Sequence, residues 1–189
     1  QREGYFRPIR FSSVYSFNDA RADRDIAAKV IEELNADATG LHVAMARVST
    51  QIRAAQVLAI YQALGHFNPV MLHSGMKKVA AQAARSQLDQ RQSRIVVCVD
   101  MLGEGFDLPE LKIAAFHDIR KSLAVTLQLA GRFTRARPDL GDPVFIANIA
   151  LVDVRDELRK LYSQDPDWNV LLPELSTAAI GAEQISQEF

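Results

Sequence analysis

Residues 95–109 read Ile-Val-Val-Cys-Val-Asp-Met-Leu-Gly-Glu-Gly-Phe-Asp-Leu-Pro. Five apolar residues come first with no polar alternation, the pattern of a strand covered on both faces. The run then breaks at Asp100 into an acidic, glycine-containing loop that ends at Pro109. Further on, residues 128–137 read Gln-Leu-Ala-Gly-Arg-Phe-Thr-Arg-Ala-Arg. Arg132 and Arg135 are three apart, so on a helix they share a face. Gly131 beside them lets a backbone or a ligand come close. Two planar, permanently charged forks on one face suit an anion with several oxygens, such as a polyphosphate. Together the two runs imply a phosphate-handling site at one edge of a parallel sheet.

Outward from these runs the chain alternates strands and helices. Residues 1–17, with Pro8 and several aromatics, read as an extended lead-in segment or linker. Asn18 is a good N-cap for a helix to about Ala38, with Ile26, Val30, Ile31 and Leu34 on one face, and Gly40 supplies its stop. Asp19, Arg21, Asp23 and Arg24 read as a mixed, solvated face of that helix. Leu41–Val48 reads as a strand. Ser49 and Thr50 then cap a helix to about Phe67, with Ala55, Leu58, Tyr61 and Leu64 inward. Pro69–His73 is a second strand, followed by Ser74-Gly75 and a helix over roughly 77–91. Strands at 94–99, 111–116 and 144–149 follow, with a helix capped by Ser122 before the last of them. Residues 153–162 and 173–187 read as helical. The organisation is thus a segment 1–17, a domain 18–150 and a helical appendage 151–189. Strands alternating with helices predict right-handed crossovers and a parallel sheet covered on both faces. Ligands of such sheets bind beyond the carboxyl ends of the strands, where the loops at 49–51, 73–76, 100–109 and 117–122 fall.

Composition narrows the partners. The 189 residues are 48% hydrophobic and 24% charged, ordinary for one globular domain with an appendage. A net charge of −1 gives no global electrostatic case for nucleic acid, so any such binding comes from a local patch. A lone cysteine, Cys98, excludes an internal disulfide framework and points to a reducing compartment such as the cytoplasm. Cys98 itself reads as a small buried hydrophobe. No apolar stretch is long enough to span a membrane, and four histidines with one cysteine give no structural zinc site. The start at Gln1 is read as a piece cut from a longer protein.

The order of these parts is similar to that of a known family. Leu72-His73-Ser74-Gly75, then Met101 to Pro109, then Lys121-Ser122, then Gln128 to Arg137 resembles the second RecA-like lobe of superfamily-two helicases and translocases over about residues 41–150. The glycine–apolar–aspartate–apolar–proline run resembles the family's motif five, the Gln-x-x-Gly-Arg-x-x-Arg run its motif six, and Ser49-Thr50 sits where motif four lies. The flavour is closest to restriction-type and phage-defence helicases and the excision-repair group. DEAD-box RNA helicases fit less well, because they usually carry histidine where this chain has Gln128. Val99 replaces a common motif-five threonine.

The resemblance implies a six-strand or five-strand RecA-like α/β domain serving as the C-terminal motor lobe of an ATP-dependent helicase. It implies that Arg135 is the arginine finger on the ATP γ-phosphate and that Arg132 contacts phosphate or steadies the finger. Gly105 and Asp107 would serve the nucleotide or the lobe interface, and Gln128 and Gly131 would line the same cleft. Ser49, Thr50, His73, Ser74 and Gly75 would face nucleic acid, DNA rather than RNA, through phosphates and without reading bases. Arg47, Arg53 and Lys77 are weaker candidates by location. No Gly-x-x-x-x-Gly-Lys-Ser/Thr occurs, and Asp156-Glu157 reads as a helix face. ATP and Mg2+ would therefore be held with an N-terminal RecA-like lobe, and this chain alone would be inactive. The alternative is a nucleotide-binding-like α/β interaction module without motor activity, in which Arg132 and Arg135 are paired internally.

Overall fold

The computed structural model describes residues 10–99, 108–118 and 137–150. Within them lies a six-stranded, wholly parallel sheet. The strands are β1 (Arg10–Val14), β2 (Val43–Val48), β3 (Val70–Leu72), β4 (Ile95–Val99), β5 (Leu111–Phe116) and β6 (Val144–Asn148), in the order β1-β6-β5-β2-β4-β3. The helices are α1 (Asp19–Ala36), α2 (Gln51–Leu64) and α3 (Lys78–Asp89). A short 3-10 turn at Pro138–Leu140 leads into β6.

Alternation along each strand feeds two cores. Met45, Val96, Cys98, Phe116 and Phe145 pack on the α3 face with Ala84 and Leu88. Ala44, Ala46, Ile95, Val97, Ile113 and Ile146 pack on the other face with α1 and α2. Each fully buried aliphatic side chain contributes roughly 1.5–3 kcal/mol, which explains why β2, β4 and β5 carry almost no polar residues. Cys98 is buried, as read.

Two sequence expectations change. Arg10–Val14, inside the segment read as a lead-in or linker, is an edge strand paired in parallel with β6. Its two anchors, Phe11 and Val14, are three apart, so they enter opposite cores and leave no period-two signal. On α2 the buried residues are Ala54, Val57 and Tyr61; of the expected Ala55, Leu58, Tyr61 and Leu64, Tyr61 is buried as read, Leu58 is half-buried against the core, and Ala55 and Leu64 are exposed. Alanine and aliphatic residues surround this helix, so periodicity alone selects no face. The helices expected at 122–135, 153–162 and 173–187 lie outside the described residues.

The fold brings β4 and β5 to either side of β2. The chain therefore leaves β4 at Val99 and β5 at Phe116 on the edge where α2 begins. This is the crevice position of an open α/β sheet, beside the point where the strand order reverses.

Candidate nucleic-acid interface

At the end of β2 the chain turns into α2. Thr50 is the N-cap: its hydroxyl oxygen accepts from the Arg53 N–H at 3.2 Å. Ser49 faces the end of β5, where its N–H and its hydroxyl both donate to Asp118 Oδ2 at 2.9 Å. Ser49 thus serves an internal carboxylate, and the outward part of the turn begins at Thr50.

At the end of β3 the turn is built by its own histidine. His73 Nδ1 accepts from the Gly75 N–H at 3.1 Å, which requires that nitrogen to be unprotonated. A Cβ on Gly75 would lie 2.5 Å from Gln51 Nε2 and 3.3 Å from His73 Nδ1. Glycine leaves room here for the Gln51 side chain, so the close approach is to the first residue of α2. The structure therefore brings the Ser49-Thr50 turn and the His73-Ser74-Gly75 turn side by side. Ser74 and Gly75 are exposed.

Beneath the turns lies a charged cluster with no counterpart in the sequence reading. Arg53 Nη1 and Nη2 donate to the two oxygens of Asp23 at 2.8 and 2.9 Å. Arg53 Nε and Nη2 donate to Asp118 Oδ1 at 3.1 and 3.0 Å. His117, wholly buried, lies 2.9 Å from Asp23 through Nδ1 and 3.0 Å from the Tyr61 hydroxyl through Nε2. A carboxylate only accepts, so Nδ1 carries the hydrogen and Nε2 faces the phenol. Burial pushes the Asp23 carboxyl up, but hydrogen bonds from His117 and Arg53 outweigh it and hold it below the usual carboxylate range. Asp118 behaves alike: burial raises it, but the hydrogen bonds from Arg53 and Ser49 outweigh that and hold it below the usual carboxylate range. Burial, with the Asp23 charge, pushes the Tyr61 phenol well above its ordinary value.

The cluster bears on three assignments. Asp23 is 4% exposed and is not part of a solvated helix face; Asp19, Arg21 and Arg24 are exposed as read. Arg53, read as a candidate by location, has its guanidinium engaged by two carboxylates within the fold. Arg47 is buried in β2 and does not present its charge to a surface strand of nucleic acid. Lys77, at the N-cap of α3, is exposed. Arg137 pairs with Asp139 and Glu110 at the surface. A second buried carboxylate, Asp37, sits at the opposite, amino-terminal edge of the sheet, where it accepts from Arg94 Nη2 at 2.7 Å and the His42 N–H at 2.9 Å. Gly105, Asp107, Gln128, Gly131, Arg132 and Arg135 lie outside the described residues, as does Trp168. Among the described residues no helix is long and apolar enough to cross a membrane.

Comparison with known proteins agrees with this architecture. The C-terminal domain of a Dbp5 variant of S. cerevisiae, bound to Gle1 and IP6, superposes with a TM-score of 0.63 at 15% identity, over 84% of this chain and 86% of that one. Domain 2 of the Mss116p DEAD-box helicase, bound to an RNA duplex, gives 0.62 at 15% identity, over 82% and 59%. S. cerevisiae Dbp5 bound to RNA and ADP BeF3 gives 0.62 at 13% identity, over 84% of this chain and only 39% of that one. The chain thus spans well under half of that longer helicase. These likenesses show the RecA-like fold of helicase C-terminal domains. No curated protein sequence matches the chain significantly. The profile described as "Helicase conserved C-terminal domain" matches residues 26–137, more than half of the chain. The chain belongs to the helicase conserved C-terminal domain family.

Proposed function

We propose that the chain is the C-terminal motor lobe of an ATP-dependent nucleic-acid helicase or translocase. The observation that carries this reading is the juxtaposition of the two turns, with Gln51 of α2 against Gly75, on the edge from which the motif-five and motif-six segments depart. Turns and helix N-termini offer backbone N–H groups to phosphate oxygens and carry no base information, as movement along any sequence requires. Thr50 and Ser74, with the exposed backbone of Gly75 whose N–H is held by His73 Nδ1, make the outward track. His73 acts by shaping the turn, and Ser49 by anchoring its loop.

Arg132 and Arg135 reach ATP held, with Mg2+, by an N-terminal RecA-like lobe. Gly105, Asp107, Gln128 and Gly131 complete the cleft between the lobes. Closure on ATP and reopening after hydrolysis step the lobes along a strand, a hinge cycle. The narrower kinship with restriction-type, phage-defence and excision-repair helicases, and with it DNA as the substrate, rests on the motif-six resemblance. The solved relatives named above are bound to RNA. Competition between oligo(dT) and oligo(U) for the chain decides between them.

Two outcomes test the reading on the chain itself. Purified 1–189 hydrolyses no ATP above background in a phosphate-release assay; turnover abolished by Arg135→Ala would overturn the half-site assignment. Gly75→Ala forces the Gln51 amide aside. That amide is the end of a flexible side chain, so the stability cost stays within about 1 kcal/mol. Binding of a labelled single-stranded oligonucleotide, followed by anisotropy, weakens by about fivefold, the equivalent of one ordinary hydrogen bond. Unchanged affinity would remove the paired turns from the track.

A further inference from the structure

We infer that Arg53 and Asp118 are positioning residues for the nucleic-acid track, acting through Ser49 and the first turn of α2 without touching phosphate; the inference rests on the nucleic-acid reading above. Three separate elements meet at the Arg53 guanidinium: α1 through Asp23, the α2 N-terminal turn through Arg53 itself, and the end of β5 through Asp118. Asp118 also takes both donors of Ser49. Ser49 is therefore fixed from below by a carboxylate that the Arg53 guanidinium holds, while Thr50 is capped by the Arg53 backbone N–H, a contact that any residue at position 53 supplies. What stays available to the outside is the Thr50 hydroxyl hydrogen and the first N–H groups of α2, which helix geometry leaves without intrahelical partners.

The charge of the cluster supports a geometric role over an attractive one. Asp118 places a carboxylate charge beside a proposed polyanion track. Through space it repels phosphate. A planar fork that spans two carboxylates sets distance and angle in a way a lysine does not. The arrangement serves the turn by holding its shape.

The sign of the Asp118→Ala effect separates positioning from charge. Removing a carboxylate beside a polyanion site strengthens binding if only charge matters. Positioning predicts the reverse: the chain carrying Asp118→Ala, and separately Arg53→Ala, binds labelled oligo(dT) and oligo(U) about tenfold more weakly. The slope of log affinity against log salt stays at the wild-type value, because no phosphate contact has been removed. Asp118→Asn, which keeps an acceptor for Ser49 and weakens the Arg53 pair, falls between and stands in if an alanine variant is not folded by circular dichroism. Asp37→Ala, at the far edge of the sheet, lowers the melting temperature and leaves affinity unchanged. Equal or tighter binding by Asp118→Ala would overturn the inference, as would a salt slope lowered by about one in Arg53→Ala, the mark of a lost phosphate ligand. If the unaltered chain binds neither oligonucleotide, the nucleic-acid reading falls first and the inference with it.

Discussion

On the proposed motor-lobe reading, Arg135→Ala, in a protein pairing this chain with an ATP-holding lobe, is expected to lower nucleic-acid-stimulated ATP hydrolysis by about 10³–10⁵, the range by which an arginine finger accelerates phosphoryl transfer. The loss falls on turnover and not on nucleotide affinity, because charge spreads over the γ-oxygens only as the bond breaks. Arg135→Lys recovers little, since a point charge does not reproduce the fork. Arg132→Ala produces a smaller loss if its service is to steady the finger, and an equal one if it too reaches phosphate. The measurement is steady-state phosphate release with saturating oligonucleotide, alongside ATP-analogue binding. Turnover within a few-fold of wild type in Arg135→Ala would remove the arginine pair from the reaction and favour the interaction-module alternative.

The sheet was legible because its central strands are covered on both faces. Residues 95–99 and 144–147 have no polar interruption, and only a doubly buried strand supports that. The edge strand β1 was not legible. Arg10-Phe11-Ser12-Ser13-Val14 offers one anchor to each core and a hydroxyl pair between them, so five residues carry no period. Arg10 is tied to Glu33 of α1, a contact invisible without the fold. The turns at Thr50 and Gly75 were readable from local chemistry, an N-cap after a strand and a glycine after a histidine. Their meeting was not, because β4 lies between β2 and β3 only after the chain has folded back.

The charged cluster shows the same limit more sharply. Asp23 follows the sequence grammar of an exposed helix position, flanked by arginine and aspartate. Its partners lie 30 residues on, at Arg53, and 94 residues on, at His117. A Coulombic contact across such separations leaves no spacing to read. The one available signal was His117-Asp118 directly after an apolar strand: two polar groups at a carboxyl end, where open sheets place their working residues.

Asp23→Ala is expected to cost about 3–5 kcal/mol of folding stability, the range for breaking a buried ion pair by removing one partner. Arg53, whose side chain is 27% exposed, recovers some hydration and keeps Asp118, which favours the lower end. His117, fully buried, loses the acceptor for Nδ1–H and has no water to replace it. Combining Asp23→Ala with Arg53→Met costs less than the sum of the two single changes, because each of them already removes the same Asp23–Arg53 pair. The same cluster sets an acid limb. Asp23, Asp37 and Asp118 all titrate below the ordinary carboxylate value in the folded chain. The unfolded chain therefore binds more protons as pH falls from about 5 through the unfolded value near 4. The stabilisation is complete above that value and is lost as pH drops through the lowered native ones. Urea denaturation at a series of pH values between 7 and 3 reads this directly. Asp23→Ala starts lower at neutral pH and declines less steeply toward acid. A wild-type stability that stays flat from pH 5 to 3, or an Asp23→Ala slope equal to that of wild type, would show that the bridge between α1, α2 and β5 contributes no net free energy to the fold.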